Sequence, residues 1–148
     1  MKRIFIDPAK CDGCKNCSLA CMESHRQDGG KGIYTLDLQD PKNQSRNRIL
    51  PDGKGGYNPI FCRHCDIPDC AGSCMSGALQ KNWENGLVEY NADRCAACYM
   101  CVMNCRYGVP AVTPDRTRMV KCDFCAHLPE GPACVRACPK KAIEVREV

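Results

Sequence analysis

The sequence contains few of the large apolar side chains that normally fill a protein core. Leucine, isoleucine, valine and phenylalanine make up 25 of its 148 residues, or about 17%, and a fraction below about 20% is typical of chains that cannot build a stable core. The overall hydrophobic share of 44% is higher because it counts cysteine. Hydrophobic burial alone therefore cannot fold this chain, and another source of stability is needed.

The sequence also has no recognisable membrane span, secretion signal or nucleic-acid-binding tract. No apolar run approaches the length of about 18 residues that a membrane helix requires. The residues before Cys11 contain neither the apolar core of a signal peptide nor a twin-arginine pair. No run of five or more lysines and arginines exists. We expect a cytoplasmic protein that neither spans a membrane nor binds nucleic acid.

Cysteine is abundant instead, since the sequence contains 16. They fall into four groups of four: Cys11, Cys14, Cys17 and Cys21; Cys62, Cys65, Cys70 and Cys74; Cys95, Cys98, Cys101 and Cys105; and Cys122, Cys125, Cys134 and Cys138. Groups one and three read C-x2-C-x2-C-x3-C, the bacterial ferredoxin pattern of ligands for [4Fe–4S] clusters. Four complete sets of thiolates predict four such clusters and a function in electron transfer.

Cluster binding would supply the stability that the apolar residues do not. A metal site that is absent from the unfolded chain adds its binding free energy to folding, so we expect the metal-free chain to be largely unfolded. Clusters also change the charge. The formal net charge is +4 with every cysteine neutral, and four oxidised clusters at about −2 each change it to about −4. The basic residues are thus counter-charges to the clusters.

Zinc sites and disulfides also use closely spaced cysteines. Zinc sites usually separate their C-x2-C pairs by a longer stretch and often include histidine. A disulfide scaffold needs an oxidising compartment and normally a secretion signal. Triplets with two-residue gaps, present twice here, favour iron–sulfur ligation. A zinc-stabilised interaction module is the alternative from another class of function.

The four groups form an internal repeat that predicts a double ferredoxin-like α+β fold. Groups two and four both read C-x2-C, then a proline-containing loop, then C-x3-C. Asn85-Gly86 between apolar runs predicts a hairpin that joins groups two and three. The terminal strands, Arg3–Ile6 and Ile143–Val145, pair with each other if groups one and four form the second unit. We predict an outer unit of 1–21 plus 106–148 and an inner unit of 62–105.

Residues 22–61 contain no cysteine and separate group one from group two. A structureless loop of this length is unusual in a compact domain. The run Gly32–Leu38 is interpreted as a strand, and Lys54–Gly56 as a turn. The insertion is either a docking surface for a partner or a solvated loop that covers the clusters.

The fourth cysteine of each run is expected to serve the neighbouring cluster, as it does in two-cluster ferredoxins. With this exchange, cluster A takes Cys11, Cys14, Cys17 and Cys138; cluster B takes Cys122, Cys125, Cys134 and Cys21; cluster C takes Cys62, Cys65, Cys70 and Cys105; and cluster D takes Cys95, Cys98, Cys101 and Cys74. The C-x3-C segment between two clusters forms one helical turn that fixes their separation.

Residues outside the cysteine groups give weaker signals. His64 lies between two cysteines of group two, where it could donate to a sulfur of cluster C. A partly exposed loop histidine without a special role is the simpler interpretation. His25 and His127 offer less. Lys121 belongs to a basic set that could favour reduced clusters or meet an acidic partner, or that is plain solvated charge. Because no nucleotide-binding, nucleophile–base or open metal motif is found, we expect a non-catalytic protein.

The ordered motifs KCDGCKNCSLAC, PIFCRHCDIPDC, RCAACYMCVMNC and KCDFC…PACVRACP resemble the four-cluster electron-transfer subunits of the DMSO-reductase iron–sulfur family. The resemblance covers nearly the whole chain and implies the same nested cluster pairing. The short length is most similar to compact members, such as the ferredoxin-like subunit of carbon monoxide dehydrogenase or the small subunit of tungsten aldehyde oxidoreductases. Met75 and Arg106 depart from the proline that commonly follows the last cysteine of a run.

The family implies partners as well as clusters. It predicts a catalytic subunit of the carbon monoxide dehydrogenase, aldehyde oxidoreductase, formate dehydrogenase or hydrogenase type. The chain would relay electrons between that subunit and a flavoprotein, a ferredoxin or a second copy of itself. The alternative within this class is a free polyferredoxin that diffuses between enzymes.

Overall fold

Short strands and short helices form the fold in a computed structural model that describes residues 1–148. The strands are β1 (Lys2–Ile6), β2 (Arg48–Pro51), β3 (Tyr57–Ile60), β4 (Leu79–Lys81), β5 (Val88–Tyr90), β6 (Ala111–Val112), β7 (Met119–Val120) and β8 (Ile143–Glu147). The helices are α1 (Asn16–Ser24), α2 (Asp69–Gly72), α3 (Met100–Asn104) and α4 (Ala133–Ala137). This is a small α+β fold, as the sequence predicted.

The two ends of the chain meet in one antiparallel sheet. β1 pairs with β8, with Ile4 opposite Val145, and α1 packs against α4. Ile4 and Ile143 are buried in one apolar cluster together with Cys17 and Cys134. The predicted pairing of the terminal strands is therefore present, and it brings the segments that carry groups one and four into contact.

The middle of the chain forms a second assembly of the same kind. β4 and β5 form an antiparallel hairpin, and Gly86 in its turn has a φ of +75°, a value that glycine adopts without strain. α2 packs against α3 and β4. Leu79, Val88 and Met119 form a buried cluster with Cys101. The predicted hairpin between groups two and three is confirmed.

The region 22–61 differs from the prediction. Gly32–Leu38 is not a strand, because Ile33–Thr35 form a single 3-10 turn. The side chain of Arg26 donates to the carbonyl oxygens of Gly32 and Thr35 and so fixes this loop. The predicted turn at Lys54–Gly56 is present, and it joins β2 and β3 into a hairpin that the sequence did not reveal. None of the helices has the length or apolar content that crossing a membrane requires.

Cysteine is part of every apolar cluster in the fold. The largest cluster buries Cys17 and Cys134, the second buries Cys101, and the third contains Cys125. The four helices are short, and isolated helices of such length are unstable in water. Cysteine therefore takes part in the packing of the whole fold.

Gly13, in the first cysteine loop, allows a close approach of the Tyr57 ring. Its φ is +74°, and a methyl group there would overlap that ring. Gly13→Ala is expected to lower the thermal midpoint of the iron-loaded protein more than Gly55→Ala. Both changes lower the free energy of unfolding by about 1–2 kcal/mol, because a non-glycine residue is forced into the left-handed region. Only Gly13→Ala lowers it by about 1–3 kcal/mol more through overpacking, since nothing lies near Gly55. Equal losses would show that Tyr57 does not press on this loop.

Candidate metal centres

The cysteine loops share one backbone geometry that turns the chain around a common centre. Gly13 and Lys15 in group one have positive φ angles, and so do Ala97 and Tyr99 at the equivalent positions of group three. His64 in group two corresponds in the same way to Phe124 in group four. Successive left-handed and right-handed residues direct backbone N–H groups toward one point, which suits an anionic centre. The repeat in the sequence is thus also a repeat in conformation.

Three cavities are each lined by four cysteines. The first is lined by Cys62, Cys65, Cys70 and Cys105; the second by Cys74, Cys95, Cys98 and Cys101; and the third by Cys21, Cys122, Cys125 and Cys134. Each set combines three cysteines of one group with the last cysteine of another group.

The remaining four cysteines also lie together. Burial raises the pKa of the Cys17 thiol to about 11, and nearby Cys14 and Cys138 contribute to this rise. Cys11 and Cys138 pack against the apolar cluster that contains Cys17. All sixteen cysteines are therefore gathered into four sets.

The chemistry of these thiols suits binding of iron. Burial, followed by the charges of neighbouring cysteines, raises the pKa of Cys134 to about 12 and that of Cys70 to about 11. Thiolates at these positions need nearby positive charge, and iron ions supply it. When bound there, [4Fe–4S] clusters would supply one-electron redox centres with Cys ligands.

The spacing of the sulfurs does not favour a mononuclear zinc site, and no disulfide is formed. A tetrahedral zinc site with Zn–S bonds of about 2.3 Å places its sulfurs about 3.8 Å apart. No three cysteine sulfurs of the chain lie within 4.8 Å of one another. All sixteen cysteines are free. The four sets are therefore too wide for mononuclear zinc.

His64 is a buried residue, so its interpretation as a partly exposed loop histidine is wrong. It is only 2% exposed, and its Nδ1 accepts a hydrogen bond from the backbone N–H of Val88 at 2.9 Å. Burial, with the charges of Lys121, Arg3 and Lys81, lowers the pKa of His64 to about 3. Contact with β5 causes this burial.

Lys121 is buried as well, at 4% exposure, and is not the solvated charge that the sequence allowed. Its Nζ donates to the carbonyl oxygens of Val88 and Cys122, both at 2.6 Å. It also lines the first cavity, as His64 does.

A charged network that the sequence did not reveal lies beside the third cavity. The His25 Nε2 atom lies 3.0 Å from an Asp123 oxygen, and Arg46 binds the other carboxylate oxygen at 2.9 Å. Burial disfavours the imidazolium, but the bonds with Asp123 and Cys21 outweigh it and raise the pKa of His25 to about 10. The only indication of this network in the sequence was the position of Asp123 between two cysteines, Cys122 and Cys125.

The four sets of cysteines are not equally exposed. Cys14 and Cys98 are exposed, whereas Cys17, Cys101, Cys125 and Cys134 are buried. Burial is the largest cause that raises the pKa of Cys122, and the next is the charge of Cys62. The set of Cys122 thus adjoins the set of Cys62, and the exposed cysteines belong to the other two sets.

Comparison with known proteins shows which family the chain is similar to. A family model described as a 4Fe-4S dicluster domain matches residues 54–148. The probable anaerobic dimethyl sulfoxide reductase chain YnfG of Escherichia coli K12 is 37% identical over 151 residues, covering 95% of this chain and 70% of that protein. The putative electron transport protein YsaA of the same organism is 33% identical over 147 residues, covering 98% of this chain and 89% of that protein.

The fold is also found in a solved structure. A chain of the active site complex BamBC of benzoyl coenzyme A reductase matches with a TM-score of 0.52 and 23% identity. The match covers 99% of this chain and 79% of that chain. At this identity the similarity concerns the fold alone.

Proposed function

The chain belongs to the family of 4Fe-4S dicluster domain proteins, and on that premise we propose that it is an electron-transfer subunit with four [4Fe–4S] clusters in a row. The observation that carries this proposal is the set of three cavities, each lined by four cysteines. The relatives include a reductase chain and a putative electron transport protein by name. This similarity supports a non-catalytic role in an oxidoreductase complex.

We assign the ligands with exchange of the fourth cysteine. Cluster A is held by Cys11, Cys14, Cys17 and Cys138; cluster B by Cys122, Cys125, Cys134 and Cys21; cluster C by Cys62, Cys65, Cys70 and Cys105; and cluster D by Cys95, Cys98, Cys101 and Cys74. The linings of the three cavities support clusters B, C and D. The influence of Cys138 on Cys17 supports cluster A.

These ligands imply two units, one nested in the other. Clusters A and B would belong to an outer unit of 1–21 plus 106–148, and clusters C and D to an inner unit of 62–105. The β1–β8 pair and the α1–α4 contact support the outer unit. The β4–β5 hairpin and the α2–α3 contact support the inner one.

The order of the clusters along the relay is A, B, C, D. α1 and α4 link A with B, and α2 and α3 link C with D. The proximity of Cys122 and Cys62 supports B and C as neighbours. The exposed cysteines, Cys14 and Cys98, then belong to the two end clusters. Electrons would enter at one end and leave at the other.

The proposed partners are a catalytic oxidoreductase subunit at one end and a flavoprotein or ferredoxin at the other. In residues 22–61, Tyr34 and Leu38 expose apolar side chains to solvent, and we assign this region to docking of the catalytic subunit. Free thiols throughout the chain suit the reducing cytoplasm.

Two measurements test this function. The anaerobically purified protein should accept about four electrons per chain in a reductive titration, one for each proposed cluster, and return them to a flavin acceptor. A tagged chain should copurify with a large catalytic subunit from its own anaerobic cells. Isolation of the chain alone, with full electron capacity, would indicate a free polyferredoxin. An absence of reducible iron would refute the proposal.

A further inference from the structure

One backbone unit, that of Val88, is held between His64 and Lys121. The N–H of Val88 donates to His64 Nδ1 at 2.9 Å, and its carbonyl oxygen accepts from Lys121 Nζ at 2.6 Å. Val88 is 2% exposed. All three residues line the cavity of Cys62, Cys65, Cys70 and Cys105.

The second nitrogen of His64 has no partner in the protein. Because Nδ1 accepts a hydrogen bond, the neutral ring carries its proton on Nε2. That atom is buried and without a hydrogen-bond partner. Buried polar groups are nearly always satisfied, so this N–H requires an acceptor that the polypeptide does not provide. The ring also contacts Phe124, whose side chain lines the cavity of cluster B.

Lys121 also lacks a partner in the protein, in this case a counter-charge. Its ammonium group is buried and bonds only to the carbonyl oxygens of Val88 and Cys122. Lys81, the neighbouring lysine, has Asp66 at 3.8 Å, whereas no carboxylate pairs with Lys121. A buried charge without a counter-charge is unfavourable. Lys121 lines the same cavity as Cys70 and donates to the backbone carbonyl oxygen of Cys122, and we assign these two cysteines to clusters C and B.

We propose that His64 and Lys121 raise the reduction potentials of clusters B and C. The inference rests on the proposed four-cluster relay. A reduced cluster carries one more negative charge than an oxidised one, and hydrogen bonds and nearby charge are among the terms that set its potential. An orphaned donor and an unpaired cation at the junction of B and C both favour the reduced form.

The first test replaces Lys121 by a residue of similar length without charge. Lys121→Met should lower two of the four potentials in an anaerobic titration followed by electron paramagnetic resonance. At a fixed potential the reduced-to-oxidised ratio of these two clusters should fall about tenfold, which is about 59 mV for a one-electron couple. Lys54→Met is the matched control, because Lys54 is exposed in the β2–β3 turn, and it should leave all four potentials unchanged.

The outcomes separate this inference from the function on which it rests. Iron content of the unaltered protein tests the four-cluster relay before any potential is compared. With iron fully retained in Lys121→Met, four unchanged potentials would overturn the inference. An equal fall of all four would also overturn it, because the effect would not be local.

A second measurement addresses His64 and does not need the lysine variant to fold. The chain has three histidines, so the double variant His25→Phe/His127→Phe keeps His64 alone. With 15N-labelled histidine, the reduced protein should show a hyperfine coupling between a cluster and one imidazole nitrogen. Absence of that coupling in an iron-replete sample would refute the assigned role of His64.

Discussion

Anaerobic removal of iron is expected to abolish the tertiary structure of this protein. Every apolar cluster of the fold contains cysteine, and the helices and strands are short. Structural metals in small domains contribute about 10–16 kcal/mol, which matches or exceeds the whole stability of about 5–15 kcal/mol of a typical domain. Near-ultraviolet circular dichroism before and after chelation should show loss of fixed aromatic signals.

Reconstitution provides the control for this experiment. Adding iron and sulfide under reducing conditions should restore the spectrum, whereas adding zinc should not, because the C-x2-C-x2-C-x3-C runs have the ligand spacing of [4Fe–4S] clusters. A metal-free chain that keeps its near-ultraviolet spectrum and a cooperative thermal transition would show that the polypeptide folds by its own contacts.

Paired cysteine substitutions are expected to reveal the exchange of fourth ligands. Cys74 and Cys98 line one cavity, and Cys65 lines another. Cys74→Ala/Cys98→Ala should therefore destroy one cluster and leave about twelve irons per chain, since each cube holds four. Cys74→Ala/Cys65→Ala should damage two clusters and leave about eight. Iron analysis with cluster counting by Mössbauer spectroscopy gives these numbers.

The two double variants are controls for each other. Each removes two cysteines, and Cys74→Ala is common to both. Ligand sets that follow the sequence groups without exchange would reverse the result, because Cys65 and Cys74 belong to one group and Cys98 to another. The reversed iron counts would disprove the assignment of clusters C and D.

Local patterns in the sequence were sufficient to predict the helices and the hairpin that carry or connect the cysteine groups. Cysteine spacing predicts the helical turns, because each C-x3-C segment overlaps one of the helices α1 to α4. Asn85-Gly86 defined the β4–β5 hairpin through the special backbone angles of its turn. Both signals depend on neighbouring residues alone.

Features that depend on particular side-chain contacts with another segment could not be predicted. The predicted strand at Gly32–Leu38 is a 3-10 turn because Arg26 binds its carbonyl oxygens. His64 and Lys121 are buried because β5 lies between them. A lysine or histidine beside a ligand cysteine is polar in any sequence pattern, and only the packing of another segment shows that it is enclosed.

The most direct test of a four-cluster relay is a combined analysis of iron, acid-labile sulfide and zinc in anaerobically purified protein. We predict about sixteen irons and sixteen sulfides per chain, with negligible zinc. A colourless, folded protein that contains zinc or no metal would contradict the account.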